Sequence, residues 1–267
     1  MQRLALLGGG RMGEALLGGL LDAGFDGEQV TVAEVDADRR RDLEERYKAV
    51  RVVPSAAWAV ADADVVIVAV KPHDVAGVLE QAGSSLAEDT LVLSIAAGVT
   101  IATVEAAAPG RPVVRAMPNT PALVRRAATA IAAGTHATDS HLETAERVLG
   151  AVGVVVRVPE SQLDAVTGLS GSGPAYVFLV AEALIEAGVL TGLPRETADT
   201  LVRETLLGAA SLLATGDETP EALRAAVTSP GGTTAAGVHA LEQHAVRAAF
   251  LDAVRAAVAR SRELGTS

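Results

Sequence analysis

Apolar positions along this chain follow two different patterns, which meet near residue 159. Before that point, short apolar runs recur near residues 3–7, 30–35, 50–53, 65–70, 91–95, 113–117, 128–133 and 154–158. Stretches with helical spacing lie between most of them, beginning near 11, 38, 55, 74, 100 and 139. Short runs bounded by turn residues predict strands, and the longer period predicts helices. Their alternation predicts an α/β fold built on a Rossmann-like, doubly wound, mostly parallel sheet. The run Val65-Val66-Ile67-Val68-Ala69-Val70 is apolar on both faces, as a central parallel strand should be.

After Pro159 only helical periodicity remains, from Ser161 to Glu263. It is broken at Gly171-Ser172-Gly173-Pro174, Gly192-Leu193-Pro194, Thr215-Gly216 and Ser229-Pro230-Gly231-Gly232. We therefore expect two domains, a sheet domain over 1–159 and an all-α domain over 160–267. Segments Tyr176 to Gly188 and Arg195 to Ala214 carry wide apolar stripes. So short a helical domain cannot bury that surface alone, which predicts a homodimer that exchanges helices.

Each regime contains a glycine loop that opens a helix. Gly8, Gly10 and Gly13 form G-x-G-x-x-G between the strand Leu4-Ala5-Leu6-Leu7 and the helical Glu14 to Leu21, with Arg11 and Met12 inside it. That context is what a dinucleotide-binding loop requires: one glycine for the turn, one for approach of the pyrophosphate, one for packing helix on strand. Glu34, with Asp36 close by, lies roughly 20 residues beyond the loop, where a ribose-binding acid belongs. The second loop is Ser229-Pro230-Gly231-Gly232-Thr233-Thr234. Its helix N-terminus can hold a carboxylate or a phosphate, and its hydroxyls add donors and acceptors.

Ligands of a doubly wound sheet lie beyond the C-terminal strand ends. Three short segments end strands there: Val70-Lys71-Pro72-His73, Ala96-Ala97-Gly98 and Met117-Pro118-Asn119-Thr120-Pro121. Small residues at 96–98 would let a nicotinamide ring approach the backbone, while Lys71 and Asn119 offer side-chain donors.

Composition narrows the field. Apolar residues make up 49% of the 267 and aromatics 2%, so the core must be alanine, valine and leucine. A net charge of −11 works against nucleic acid or an acidic membrane surface as partner. The absence of cysteine excludes thiol catalysis and disulfides, and fits a cytoplasmic protein. The first strand starts at once, leaving no expected signal peptide, and no uncharged apolar run reaches the roughly 18 residues of a membrane span. Gly168-Leu169-Ser170-Gly171-Ser172 resembles a nucleophile elbow, but position 172 is not glycine and no strand precedes it. The five histidines form no H-x-x-x-H pair, so no metal site is expected, and His239 and His244 read as helix-surface or capping residues. Arg39-Arg40-Arg41 could hold a 2′-phosphate or form a solvated helix face.

Taken with their order and spacing, these segments resemble the pyrroline-5-carboxylate reductase family over essentially the whole chain. The most specific stretches are Asp164 to Tyr176 and Pro220 to Glu242. The resemblance implies reduction of the cyclic imine 1-pyrroline-5-carboxylate to L-proline by NADPH or NADH, in a homodimer that can assemble further. It implies that backbone N–H groups of Ser229 to Thr234 hold the substrate carboxylate and that the Thr234 hydroxyl bonds the ring nitrogen. Glu160 and Asp217 fall at positions near the ligands of relatives. Glu34 stands where NADPH-preferring relatives often carry a small polar residue, and Ala56 where several carry asparagine. Two alternatives stay open: a β-hydroxyacid dehydrogenase-like oxidoreductase, which would need a lysine absent from 160–267, and a non-catalytic dinucleotide sensor.

Overall fold

A computed structural model describes residues 2–265. Its sheet has eight strands: β1 (Leu4–Leu7), β2 (Val30–Ala33), β3 (Arg51–Val53), β4 (Val65–Val68), β5 (Leu91–Ser94), β6 (Val113–Met117), β7 (Ala127–Ala133) and β8 (Gly153–Arg157). All eight expected strands form. Their order is β3-β2-β1-β4-β5-β6-β7-β8, so the winding direction reverses between β1 and β4. Strands β1 to β6 are parallel; β7 pairs antiparallel with β6, and β8 runs parallel to β7.

Period-two alternation sorts the strand residues onto two faces. Ala5, Leu7, Val66, Val68 and Val92 point into one apolar cluster; Leu4, Leu6, Val65, Ile67, Leu91 and Leu93 point into the other. Six helices cover these faces: α1 (Arg11–Asp22), α2 (Ala37–Arg46), α3 (Ala56–Val60), α4 (Val75–Ala82), α5 (Ile101–Ala107) and α6 (Asp139–Gly150). On α1 the apolar stripe Leu16, Leu17 and Leu20 is fully buried, each side chain contributing roughly 1.5–3 kcal/mol relative to exposure. The expected strand 65–70 ends two residues early, at Val68. Ala69 still donates its N–H to the Leu7 carbonyl, but Val70 leaves the sheet half-buried.

The chain continues with α7 (Leu163–Val166), a π-helical turn over Thr167–Gly171, α8 (Gly173–Leu190), α9 (Arg195–Thr215), α10 (Pro220–Ala226), α11 (Thr233–Gln243) and α12 (Val246–Gly265). Packing divides it into two compact units. One is Gly173–Arg255; the other holds the sheet together with the residues up to Ser172 and from Ala256 onward. Leu163 is fully buried in a sheet-face cluster and Val166 packs against it, which is why 160–172 goes with the sheet although its periodicity is helical. Residues 1 and 266–267, the outermost ends of the expected domains, lie outside the described residues.

Within Gly173–Arg255, α8 and α9 meet at small residues: a Cβ on Gly188 would lie 3.0 Å from the Ala198 Cβ. Among its described residues only Ile185 and Ala198 are buried, while Phe178, Leu179, Leu207, Leu212 and Leu251 are each about 60% exposed. The helical run Glu160–Leu190 is long and apolar enough, by length and composition alone, to cross a membrane. Asp164, Glu182 and Glu186 interrupt it, so it contains no uncharged run of the roughly 18 residues that a span needs.

Candidate functional site

The switch in strand order places the C-terminal ends of β1 and β4 side by side. Gly8 turns the chain out of β1 at φ 104°, a left-handed conformation that disfavours any side chain. A Cβ on Gly13 would lie 2.1 Å from the Gly8 carbonyl oxygen, so only glycine lets α1 start this close to the strand. Gly10 is the N-cap of α1, receives no side-chain cap, and has open space where a Cβ would point. The helix N-terminus is therefore left with unsatisfied N–H donors beside a clear approach, the requirement for holding a pyrophosphate.

Two hollows flank this loop. The first, of about 380 Å³, is lined by Gly8, Gly10, Glu34, Val70 and Lys71, and by Ala56 at the start of α3. The second, of about 290 Å³, is lined by Met12, Val70, Pro72, Ala96, Ala97 and Asn119. Val70 and Ala69 line both, so the two are neighbours along one groove. A larger hollow of about 430 Å³ opens at Gln2, Phe25 and Arg147, beside the strands' N-terminal ends, and holds none of the expected ligand residues. We assign the chemistry to the flanking pair, because the glycine loop and the strand ends meet there.

Glu34 is oriented by backbone donors. Its Oε2 accepts from the Gly9 N–H at 2.9 Å and its Oε1 from the Asp36 N–H at 3.0 Å. The Gly9 carbonyl in turn accepts from Arg39 Nε at 2.8 Å. Arg39 also pairs with Glu14 and Asp42, and Arg46 and the Tyr47 hydroxyl both reach Glu14. Burial pushes the Glu14 carboxyl up, but the hydrogen bond and charge of Arg39, with Arg46 and Tyr47, outweigh it and hold its pKa below the ordinary 4.5. Arg40 donates to the Glu34 and Val35 carbonyls, and Arg41 pairs with Asp38. Of the arginine run, only Arg41 is a solvated side chain.

Other expected residues fall as follows. Arg11 is exposed in the first turn of α1. Gly98 turns away from the second hollow, and a Cβ there would meet Leu264 at 3.6 Å. Asn119 is 92% buried and committed to protein partners: Nδ2 donates to the Ser170 carbonyl at 3.0 Å, and Oδ1 accepts the Ala128 N–H at 2.9 Å. It shapes the wall of the hollow rather than standing as a loose donor. Glu160 sits off both hollows; its Oε1 accepts from the Ile101 N–H at 2.7 Å and from Arg115 Nη1 at 2.9 Å. Asp217 is exposed between α9 and α10. His239 is exposed on α11 and His244 caps its C-terminus.

The second glycine loop belongs to the Gly173–Arg255 unit. Gly231 has φ 69°, and Gly232, not a threonine, is the N-cap of α11, with no side-chain cap. A Cβ on Gly232 would lie 2.3 Å from Ser229 Oγ, so the loop closes tightly on itself. Thr233 and Thr234 follow in the first helical turn with exposed side chains. Met117, from the third expected strand-end segment, lines the second hollow; sequence reasoning missed Gly171 as a lining residue, and the buried Arg115. Arg115 did leave a signal, as a charge inside an otherwise apolar strand.

The strand order, the reversed winding and the glycine loop at its switch point define a dinucleotide-binding protein of the doubly wound class. Residues 3–98 match a family described as NADP oxidoreductase, coenzyme F420-dependent, and residues 160–264 match pyrroline-5-carboxylate reductase dimerisation. A pyrroline-5-carboxylate reductase of Mycobacterium tuberculosis H37Rv is 46% identical, over 99% of this chain and 97% of the relative. The structure of a pyrroline-5-carboxylate reductase from Coxiella burnetii superposes with a TM-score of 0.94 at 37% identity, covering 100% of this chain and 99% of that one. The Plasmodium falciparum pyrroline carboxylate reductase, solved with NADP bound, gives 0.86 at 28% identity, covering 99% and 98%. The chain belongs to the pyrroline-5-carboxylate reductase family. Membership removes the β-hydroxyacid dehydrogenase alternative.

The Glu14 cluster carries a pH dependence. A carboxyl with a folded-state pKa below its unfolded value adds stability that is present above the unfolded pKa and lost as pH falls through the folded one. Glu14→Gln should therefore lower the melting temperature at pH 7, and the gap to wild type should close progressively below about pH 4.5. A gap that stays constant from pH 7 to pH 3 would contradict the ionic role of Glu14.

Proposed function

We propose that this chain reduces the C=N bond of 1-pyrroline-5-carboxylate to L-proline, with NADH or NADPH as the electron source, as the last step of proline biosynthesis. The observation that carries this reading is the intact loop Ser229–Thr234, uncapped at the N-terminus of α11, in a chain that also has a complete dinucleotide loop. The bound nucleotide supplies a hydride. Gly8, Gly10, Arg11, Met12 and Gly13 hold its pyrophosphate, Glu34 its adenosine ribose, and Val70, Lys71, Pro72, Ala96, Ala97 and Asn119 border the rest, Gly98 shaping the loop from behind. The open face of Gly10 and the close approach at Gly13 support this fit.

At the substrate, backbone N–H groups of Gly231, Thr233 and Thr234 take the carboxylate, while the Gly232 N–H donates to the Ser229 carbonyl and braces the turn. The Thr234 hydroxyl bonds the ring nitrogen, and Asp217, exposed in the same unit, adds negative charge that favours its protonated form; Glu160 is already neutralised by Arg115 and adds none. A protonated imine accepts hydride at carbon while nitrogen keeps the proton, so no strong acid is needed. Orientation in such a site lowers the barrier by up to roughly 7–11 kcal/mol. We assign the expected spans, 1–159 to cofactor and 160–267 to substrate and dimerisation, and we place the enzyme in the cytoplasm, in keeping with its lack of cysteine.

Purified protein should oxidise NAD(P)H and accumulate proline when given pyrroline-5-carboxylate. Thr234→Ala should lower kcat/KM about 10- to 150-fold, the worth of one hydrogen bond to a charged group, with NAD(P)H binding intact. Thr234→Ser should stay near wild type. Full activity in the alanine variant, with only a lower melting temperature, would make Thr234 a plain first-turn residue.

Cofactor choice should tilt towards NADH, or be nearly indifferent. The Glu34 carboxylate is held in place by two N–H groups, and the nearby arginines are engaged with Glu14, Asp42, Asp38 and backbone carbonyls. Lys71 pulls the other way, but it is exposed. Glu34→Ser should raise kcat/KM with NADPH relative to NADH; a strong NADPH preference unchanged by that substitution would refute the assignment.

The exposed leucines and phenylalanines of Gly173–Arg255 support a homodimer, alone or assembled further. Sedimentation should give at least twice the 27.1 kDa chain mass at micromolar concentration. An active monomer would overturn it.

A further inference from the structure

Arg115 stands in the middle of β6 with its neighbours Val113, Val114 and Ala116 buried, and is itself 94% buried. A charge in such a position is costly unless it is paired. Packing alone would be served by an apolar residue. The guanidinium instead reaches Glu160, 45 residues further along the chain, at 2.9 Å. The same Glu160 oxygen accepts the Ile101 N–H at 2.7 Å.

That contact lies at the base of the segment bordering the second hollow. After β5 the chain goes out through Ile95, Ala96, Ala97 and Gly98, and returns through Val99 and Thr100 into α5. On the outgoing side the Ile95 N–H is held by the Val68 carbonyl, a sheet contact at 3.1 Å. On the returning side the Ile101 N–H is held by the Glu160 carboxylate. Thr100 caps α5 by accepting from the Thr103 N–H, so it leaves the Ile101 N–H to Glu160. The loop is thus fixed at two points: one is backbone, the other a carboxylate whose position depends on a buried arginine.

We propose that Arg115 is a positioning residue for cofactor binding: through Glu160 it sets the return of the 96–100 loop, and so the wall that receives the nicotinamide end. This rests on assigning the second hollow to the nicotinamide end of the nucleotide. The mechanism assigns Arg115 no other task, and its side chain touches neither hollow.

The test is equilibrium binding of NADH and, separately, of ADP, which carries only the adenosine and pyrophosphate parts. Neither titration needs the imine, so the outcome is independent of the reaction. Arg115→Met should weaken NADH binding about tenfold, the scale of one charge-assisted hydrogen bond, and leave ADP binding within about twofold. Arg115→Lys should recover most of the loss, because it restores the charge opposite Glu160. Glu160→Ala should reproduce the Arg115→Met pattern, and the double variant should be no weaker than either single one. Equal losses for NADH and ADP, or wild-type NADH binding in Glu160→Ala, would overturn the proposal. If Arg115→Met fails to fold, the partly exposed Glu160 decides it by the same two titrations. A wild type that binds ADP but gains nothing from the nicotinamide half would overturn the assignment of the second hollow and this proposal together.

Discussion

A Cβ at Gly13 would sit 2.1 Å from the carbonyl oxygen of Gly8, and one at Gly8 would sit 2.8 Å from the carbonyl oxygen of Ala69. These two contacts join the first helix, the first strand and the fourth strand at a single point. Everything at the cofactor edge depends on them. With the backbones this close, the N-terminus of α1 faces the crevice where the winding reverses, and the helix dipole and free N–H groups act over a short distance. Glu34, Arg39 and Glu14 then work on the loop from behind. One holds an N–H of Gly9, one its carbonyl, and the third holds the arginine.

The fold was legible in the sequence because its signals are local. A parallel strand buried on both faces is a short unbroken apolar run, and α1 shows its stripe in Leu16, Leu17 and Leu20. Direction is not local: nothing in Ala127–Ala133 reveals that β7 runs against β6. The same limit governs the site. Gly8, Gly10 and Gly13 announce themselves by spacing, whereas Asn119 reads as a free donor until Ser170 and Ala128 are found at its two ends. Arg115 is visible as an oddity in an apolar strand, but its partner is set by tertiary structure. The boundary near 159 marks a change of periodicity, while packing keeps residues through Ser172 with the sheet, because side chains such as Leu163 choose their neighbours by contact.

Two styles of construction coexist in one chain with almost no aromatic residues. The sheet is densely packed, with valine and leucine filling both faces. Gly173–Arg255 is built from alanine, leucine and glycine on helices whose apolar sides stay open. Small side chains let α8 and α9 approach closely at Gly188 and Ala198, but for the same reason they enclose little volume between them. Its glycine loop shows the opposite economy, closing so tightly that Ser229 leaves no room for a side chain at Gly232.

The central place of β1 in the sheet has a consequence in time. Leu4 pairs with Val30 on one side and with Val65 on the other, and Gly8 rests against Ala69. A ribosome adds roughly 5–20 residues per second, and domains form as their segments emerge. The glycine loop leaves the ribosome before its wall, which is missing until residue 69 follows. For several seconds the segment that receives the nucleotide exists only as an unfinished edge, with one side of β1 unpaired. Synthesis order and spatial order therefore run opposite here, and an earlier part of the chain has to wait for a later one.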